Sequence, residues 1–167
     1  MAFLRLLGPI ALLLPFALAN CTADTSGEDV SEGSDNALST EIHSEYGITM
    51  FGGSGDFQPM SCGLSSRTAQ SSHPYYVASS QRYGCKVHLK ITAPDGKCVV
   101  ASTEDAGPAT AVERHAGKAV LDSSPAVVHH LFPGAGEIGW VDIKKSPAKY
   151  TVKVEVTDLP LGPCDDS

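Results

Sequence analysis

The sequence is poor in positive charge. Twelve Lys and Arg face nineteen Asp and Glu, a formal net charge of −7 over 167 residues. Without a basic surface, nucleic acid is excluded as a partner. No Cys-x-x-Cys occurs, which removes a zinc site or a thioredoxin-type redox centre, and no cofactor is expected. There is no apolar run of about 20 residues, the length a membrane span needs. The longest stretch, Leu6 to Ala19, is interrupted by Pro9 and Pro15, which would break a buried helix as well. Aromatics make up 7% of the chain, with one Trp, and no internal repeat is present.

What the amino-terminal stretch does have is the pattern of an export signal. Arg5 is its only charge before Asp24, and residues 1–20 read as a charged end, an apolar middle and the small-x-small site Ala17-Leu18-Ala19. Leu18-Ala19-Asn20-Cys21 also looks like a bacterial lipobox, although Asn20 departs from the small residue such a site has before its Cys. There are five cysteines, Cys21, Cys62, Cys85, Cys98 and Cys164. An odd thiol in an exported protein needs an explanation. Lipidating Cys21 leaves an even set of four for two disulfides in an oxidising compartment. The expected location is an outer-membrane or cell-surface lipoprotein attached through Cys21, or else free secretion, in either case as a monomer.

Residues 21–45 carry seven acidic side chains and no Lys or Arg. Such a segment buries too little apolar surface to offset its ordering entropy, so it is expected to be a disordered acidic tether. From residue 46 short apolar runs alternate with turn signals, the pattern of an all-β barrel or sandwich filling residues 46–160, with 161–167 as a tail. The expected strands are 47–51, 75–78, 85–92, 98–103, 120–122, 138–143 and 150–156. Pro94-Asp95-Gly96 is a turn, since Pro presets φ and Gly accepts positive φ. Ser123-Ser124-Pro125 predicts the start of one short helix, with a cap and a first-turn proline.

Five features then fall in order: Gly47-x-Thr49-x-Phe51-Gly52, Ser61-Cys62-Gly63, a Cys-led hairpin ending in Thr103-Glu104-Asp105-Ala106-Gly107-Pro108, Leu121-Asp122-Ser123-Ser124, and Gly136 to Trp140. The series resembles the double-psi β-barrel domain of rare lipoprotein A, the expansins, barwin-type proteins and family 45 endoglucanases. The resemblance implies a six-stranded double-psi β-barrel with one short helix and a groove for polysaccharide, peptidoglycan or a cellulose-like glycan. Asp105 and Asp122 match the family's two carboxylates, and Thr49 the Thr of its opening motif. The family pattern also implies the disulfides Cys62–Cys98 and Cys85–Cys164.

Straining or cleaving a glycosidic bond needs a proton donor at the bridging oxygen, and hydrolysis needs a second carboxylate at a defined separation. Asp122 is the candidate donor and Asp105 the second acid. Thr49, Phe51, Tyr76 and Trp140 are candidates for holding substrate, the rings by stacking on sugar faces. Against this, Asp before Gly-Pro commonly serves a turn, and Asp122 could cap the helix behind it. Phe51 lacks the hydroxyl of the family's Tyr, and the His of lytic members has no counterpart. The function expected is therefore an exported wall-polysaccharide-binding barrel that loosens or cleaves its glycan, as a lytic transglycosylase or hydrolase would. The alternative is a non-catalytic barrel that binds a protein, such as a protease inhibitor. His129 and His130, adjacent on a helix, face different directions and cannot share a metal.

Overall fold

A computed structural model describes residues 37–53, 55 and 58–164. The expected signal, Cys21 and most of the expected tether lie outside these residues. Residues 37–44, inside the stretch expected as tether, run along the domain. Leu38 bridges to Ala109, the Thr110 N–H donates to the Ala37 carbonyl, and Arg82 Nε donates to the Glu41 carbonyl at 2.8 Å.

The elements in chain order are β1 (Glu45–Met50), α1 (Ser66–Ser72), β2 (Tyr76–Ala78), α2 (Ser80–Tyr83), β3 (His88–Thr92), β4 (Cys98–Asp105), α3 (Thr110–Ala116), β5 (Val120–Ser123), α4 (Pro125–Leu131), α5 (Trp140–Lys145), β6 (Thr151–Val156) and β7 (Gly162–Pro163). The strands pair in the order β2-β5-β1-β6-β3-β4, and β4 pairs back with β2. Six strands thus close into a mixed barrel, which leaves no free edge around the ring. β7 adds beside β4. The all-β barrel expected from the sequence is present, with five short helices among the described residues where one was expected.

Alternation builds the interior. Ile48, Val77, Leu89, Ile91, Val99, Ala101, Leu121, Val152 and Val154 point inward from the six strands. Val127, Val128 and Leu131 of α4 join the same cluster. The Pro94-Asp95-Gly96 turn holds the β3–β4 hairpin, with the Ala93 N–H donating to the Lys97 carbonyl and the Lys97 N–H to Asp95. Ser124 caps α4, accepting from the Val127 N–H, ahead of Pro125 in the first turn.

Two expectations are corrected. Residues 138–143, expected as a strand, enter helix α5. The Asp142 carboxylate accepts from the Gly139 N–H at 2.9 Å and caps its start, and Ile143 packs directly on Gly47 of β1. Tertiary burial overrides the β-propensity of Trp, Val and Ile. The disulfides are Cys62–Cys85 and Cys98–Cys164, with Cα separations of 5.5 and 5.1 Å. Cys98 opens β4, beside the Cys164 N–H that donates to its carbonyl, whereas the Cys62 N–H donates to Glu104 at the strand's far end. Six residues of strand, about 20 Å, separate the two ends. A Cys62–Cys98 bridge, which tolerates at most about 7 Å between Cα atoms, cannot form.

Candidate active site

Strand register assembles the candidate residues on the outer face of the barrel. Thr49 of β1 pairs with Asp122 of β5, and Asp122 with Ala78 of β2. Ile48, Leu121 and Val77 point inward, so Thr49, Asp122 and Ala78 point outward. On the other side of β2 the register with β4 shifts by one residue. Tyr76 pairs with Ser102 and Val77 with Thr103, but Ala78 pairs with Asp105, so that Glu104 is passed over. A bulge of this kind re-aims side chains. Here it puts Asp105, not Glu104, in the row Thr49–Asp122–Ala78–Asp105.

The two carboxylates have different surroundings. Asp122 is partly buried and accepts a hydrogen bond from the Thr49 hydroxyl. Burial raises its pKa above the ordinary carboxyl value. The Thr49 bond and the charge of Arg82 oppose that rise, and Glu113 and Asp105 add to it. Asp105 Oδ1 accepts from the Ser61 N–H at 2.9 Å and the Ala106 N–H at 2.8 Å, which fixes the carboxylate's orientation. The hydroxyls of Ser61 and Ser80 are 3.2 Å apart. The loop after Asp105 packs beside Ala78, and Gly107 within it has φ 134°. That positive φ favours glycine. The Cys62–Cys85 bridge ties the segment carrying Ser61 to the start of the β3 hairpin.

The helix-cap role weighed for Asp122 belongs to Ser124. The turn role weighed for Asp105 is present in the bond to its neighbour's N–H, but the bond to Ser61 reaches 44 residues along the chain. Phe51 packs edge-on against Tyr76, with ring centroids 5.5 Å apart. Tyr76 is fully buried beside Met60. Trp140 is 39% exposed and stacks on His115 of α3 at 5.1 Å. Two residues earlier, the Ile138 carbonyl accepts from the Met50 N–H next to Thr49.

Two residues near Asp122 carry no local signal in the sequence: Arg82 of α2 and Glu113 of α3. They form an ion pair at 2.5 Å with the Arg82 side chain fully buried. Among the described residues no cluster of His, Cys, Asp and Glu could hold a metal.

The model of the lysozyme A (AlyA) family matches residues 37–166. Lysozyme C of Dictyostelium discoideum is 39% identical over 129 residues, covering 75% of this chain and 64% of its own length. Lysozyme A of the same organism is 37% identical over the same coverage, and its lysozyme B is 42% identical over 93 residues, 53% of this chain and 47% of its own. The chain thus spans just under two thirds of the longest-matching of these relatives. These matches overturn the membership inferred from the Gly47-to-Trp140 motif series. They place the chain with the lysozymes and not with rare lipoprotein A and the expansins, and they set aside both the wall-loosening reading and the protease-inhibitor alternative.

Proposed function

Since the chain belongs to the lysozyme A family, we propose that it hydrolyses the glycan strands of bacterial peptidoglycan, with Asp122 as proton donor and Asp105 as the carboxylate that activates water. The observation that supports this most is the row Thr49–Asp122–Ala78–Asp105. It sets two carboxylates on one outer face with unlike surroundings, the arrangement by which a site separates an acid from a base. Asp122, whose pKa burial raises, retains its proton for the leaving oxygen. Asp105, oriented by two N–H donors, takes the proton of the attacking water.

Inversion at the anomeric carbon places the two carboxyls about 6.5–9.5 Å apart with water between them, and retention about 5 Å apart, so the anomer first formed distinguishes the two courses. Trp140, stacked on His115, offers an exposed ring for a sugar face.

The amino-terminal pattern supports export. The two bridges use four of the five cysteines and leave Cys21, consistent with lipid attachment there. In this reading a monomeric enzyme works outside the cell, joined to its anchor by an acidic spacer.

The test is release of new reducing ends from purified peptidoglycan, with fragments identified by mass and the fresh anomer by NMR. The expected result is hydrolysis, reduced about 10²–10⁴-fold by Asp122→Asn and by Asp105→Asn. No new reducing ends from the wild type, or full activity in both variants, would overturn the assignment. Intact mass of the mature chain, with and without reduction, reads the lipid and the two disulfides together.

A further inference from the structure

β2 is only three residues long, and its end leaves a gap in the ladder beside Asp122. It pairs with β5 at Ser123 and Asp122 and then turns into α2. Continued pairing would bring Ser80 opposite Val120. Two side chains occupy that place instead. Arg82 Nη1 donates to the Val120 carbonyl at 3.0 Å, and Glu113 Oε1 accepts from the Val120 N–H at 2.6 Å. The same Oε1 accepts from Arg82 Nη2 at 2.5 Å. Both backbone groups of the residue two before Asp122 are thus held by one ion pair. The pair holds the edge of β5 two residues before the Asp122–Ala78 pairing.

Arg82 is itself held in place. Its Nε donates to the Glu41 carbonyl, and its guanidinium lies 5.1 Å from the centroid of the Tyr46 ring. The charged groups acting on Asp122 are Arg82 from α2, Glu113 from α3 and Asp105 from β4. β1 and β2 contribute the uncharged Thr49 and Ala78.

We infer that Arg82 and Glu113 are positioning residues for the reaction: the pair replaces the missing end of β2, holds β5 in register, and sets the charge balance that decides whether Asp122 carries its proton at working pH. The inference rests on Asp122 being the proton donor. Neither residue touches the scissile bond in this account. Arg82 alone would pull the proton off Asp122. Glu113 offsets it, so the balance depends on both being charged.

Two variants give opposite signs. Glu113→Gln keeps an oxygen for the Val120 and Arg82 bonds and removes the negative charge. It should move the alkaline limb of the activity profile, which reports the acid's ionisation, down by about one pH unit. Adding Arg82→Gln removes the positive charge too and should return the limb to the wild-type position or above it. A purely structural role would lower activity in both without moving the limb in opposite directions. An unmoved limb in folded Glu113→Gln, or a limb in the folded double variant as low as in Glu113→Gln alone, would overturn the inference.

Losing a member of a buried pair can unfold a protein, so a measurement on the wild type keeps the question answerable. Amide hydrogen exchange should show the Val120 N–H, held by Glu113, protected like the paired amides of β5. Exchange at the rate of an open strand end sinks the inference. Because exchange needs no turnover, failure of the lysozyme reading, seen as no released reducing ends, is distinguished from failure of this one.

Discussion

Burial pushes the Asp122 carboxyl up, while the Thr49 hydroxyl and Arg82 pull it down, and burial prevails. The folded pKa therefore lies above the unfolded one. Between the two values the native state binds more protons than the unfolded chain, so stability falls as pH rises through that window. Below the unfolded value, about 3.9, both states are protonated and Asp122 contributes nothing to the pH dependence. Asp122→Asn should accordingly raise the melting temperature by a few degrees at pH 7, and by little at pH 3; thermal melts at the two pH values check it. If Asp122 is the proton donor proposed above, such a gain is the common trade-off between stability and activity. Thr49→Val tests the opposing effect. The hydroxyl bond favours the ionised carboxylate, so its loss should raise the pKa of Asp122 further and shift the alkaline limb of activity upward. A limb that stays put or falls would mean that the Thr49 bond does not stabilise the charged form.

Gly47 shows why an element can be misread from its own residues. As the first residue of the Gly-x-Thr-x-Phe-Gly motif it suggests a family signature, yet its role here is clearance. A Cβ at this position would stand 2.9 Å from both Cδ1 and Cγ2 of Ile143, so α5 can lie on β1 only over glycine. Gly47→Ala should cost about 1–3 kcal/mol through overpacking, and Ile143→Val should recover part of it. A double-mutant cycle in urea checks this, with no coupling between the two sites as the contrary result. The elements legible in sequence were those with a strict local rule. The β3–β4 hairpin has clean alternation and a Pro-Asp-Gly turn, and the Leu121-Asp122-Ser123-Ser124-Pro125 run combines a strand end with a cap. Replacing that cap, Ser124→Ala, should cost about 1 kcal/mol. Its hydroxyl also donates to the Pro74 carbonyl at 2.6 Å and so ties the approach to β2. Helices α3 and α5 lacked such rules. Neither has a capping side chain at its N-cap residue, and both are placed by burying Val112, Ala116 and Ile143 against Val120. For the same reason Asp105 and Asp122 could be picked as candidates, whereas the Arg82–Glu113 pair, 31 residues apart in the chain, could not.

At the scale of the whole molecule the two disulfides divide labour between fold and site. The Cys98–Cys164 bridge closes a separation of 66 residues and fastens β7 to β4. The Cys62–Cys85 bridge closes 23 and fastens the loop whose Ser61 N–H orients Asp105. Cysteine spacing alone leaves three pairings open; the choice is made by which cysteines the barrel sets at the same end of β4. Loop-closure entropy gives about 4.3 kcal/mol for the longer loop and about 3.4 for the shorter, a difference of about 1 kcal/mol in favour of Cys98–Cys164. For activity the order should reverse. Freeing residues 60–63 removes an N–H donor from Asp105 without disturbing the barrel interior, and a slight misplacement of a catalytic group is costly. Paired replacement by Ser should therefore separate the two effects: Cys98→Ser with Cys164→Ser should give the larger loss in urea stability, and Cys62→Ser with Cys85→Ser the larger loss of peptidoglycan hydrolysis measured well below its unfolding midpoint. If both activities fell only in proportion to stability, the loop carrying Ser61 would have no part in orienting Asp105, and the Asp105 carboxylate would have to be held by the Ala106 N–H and the β4 bulge alone.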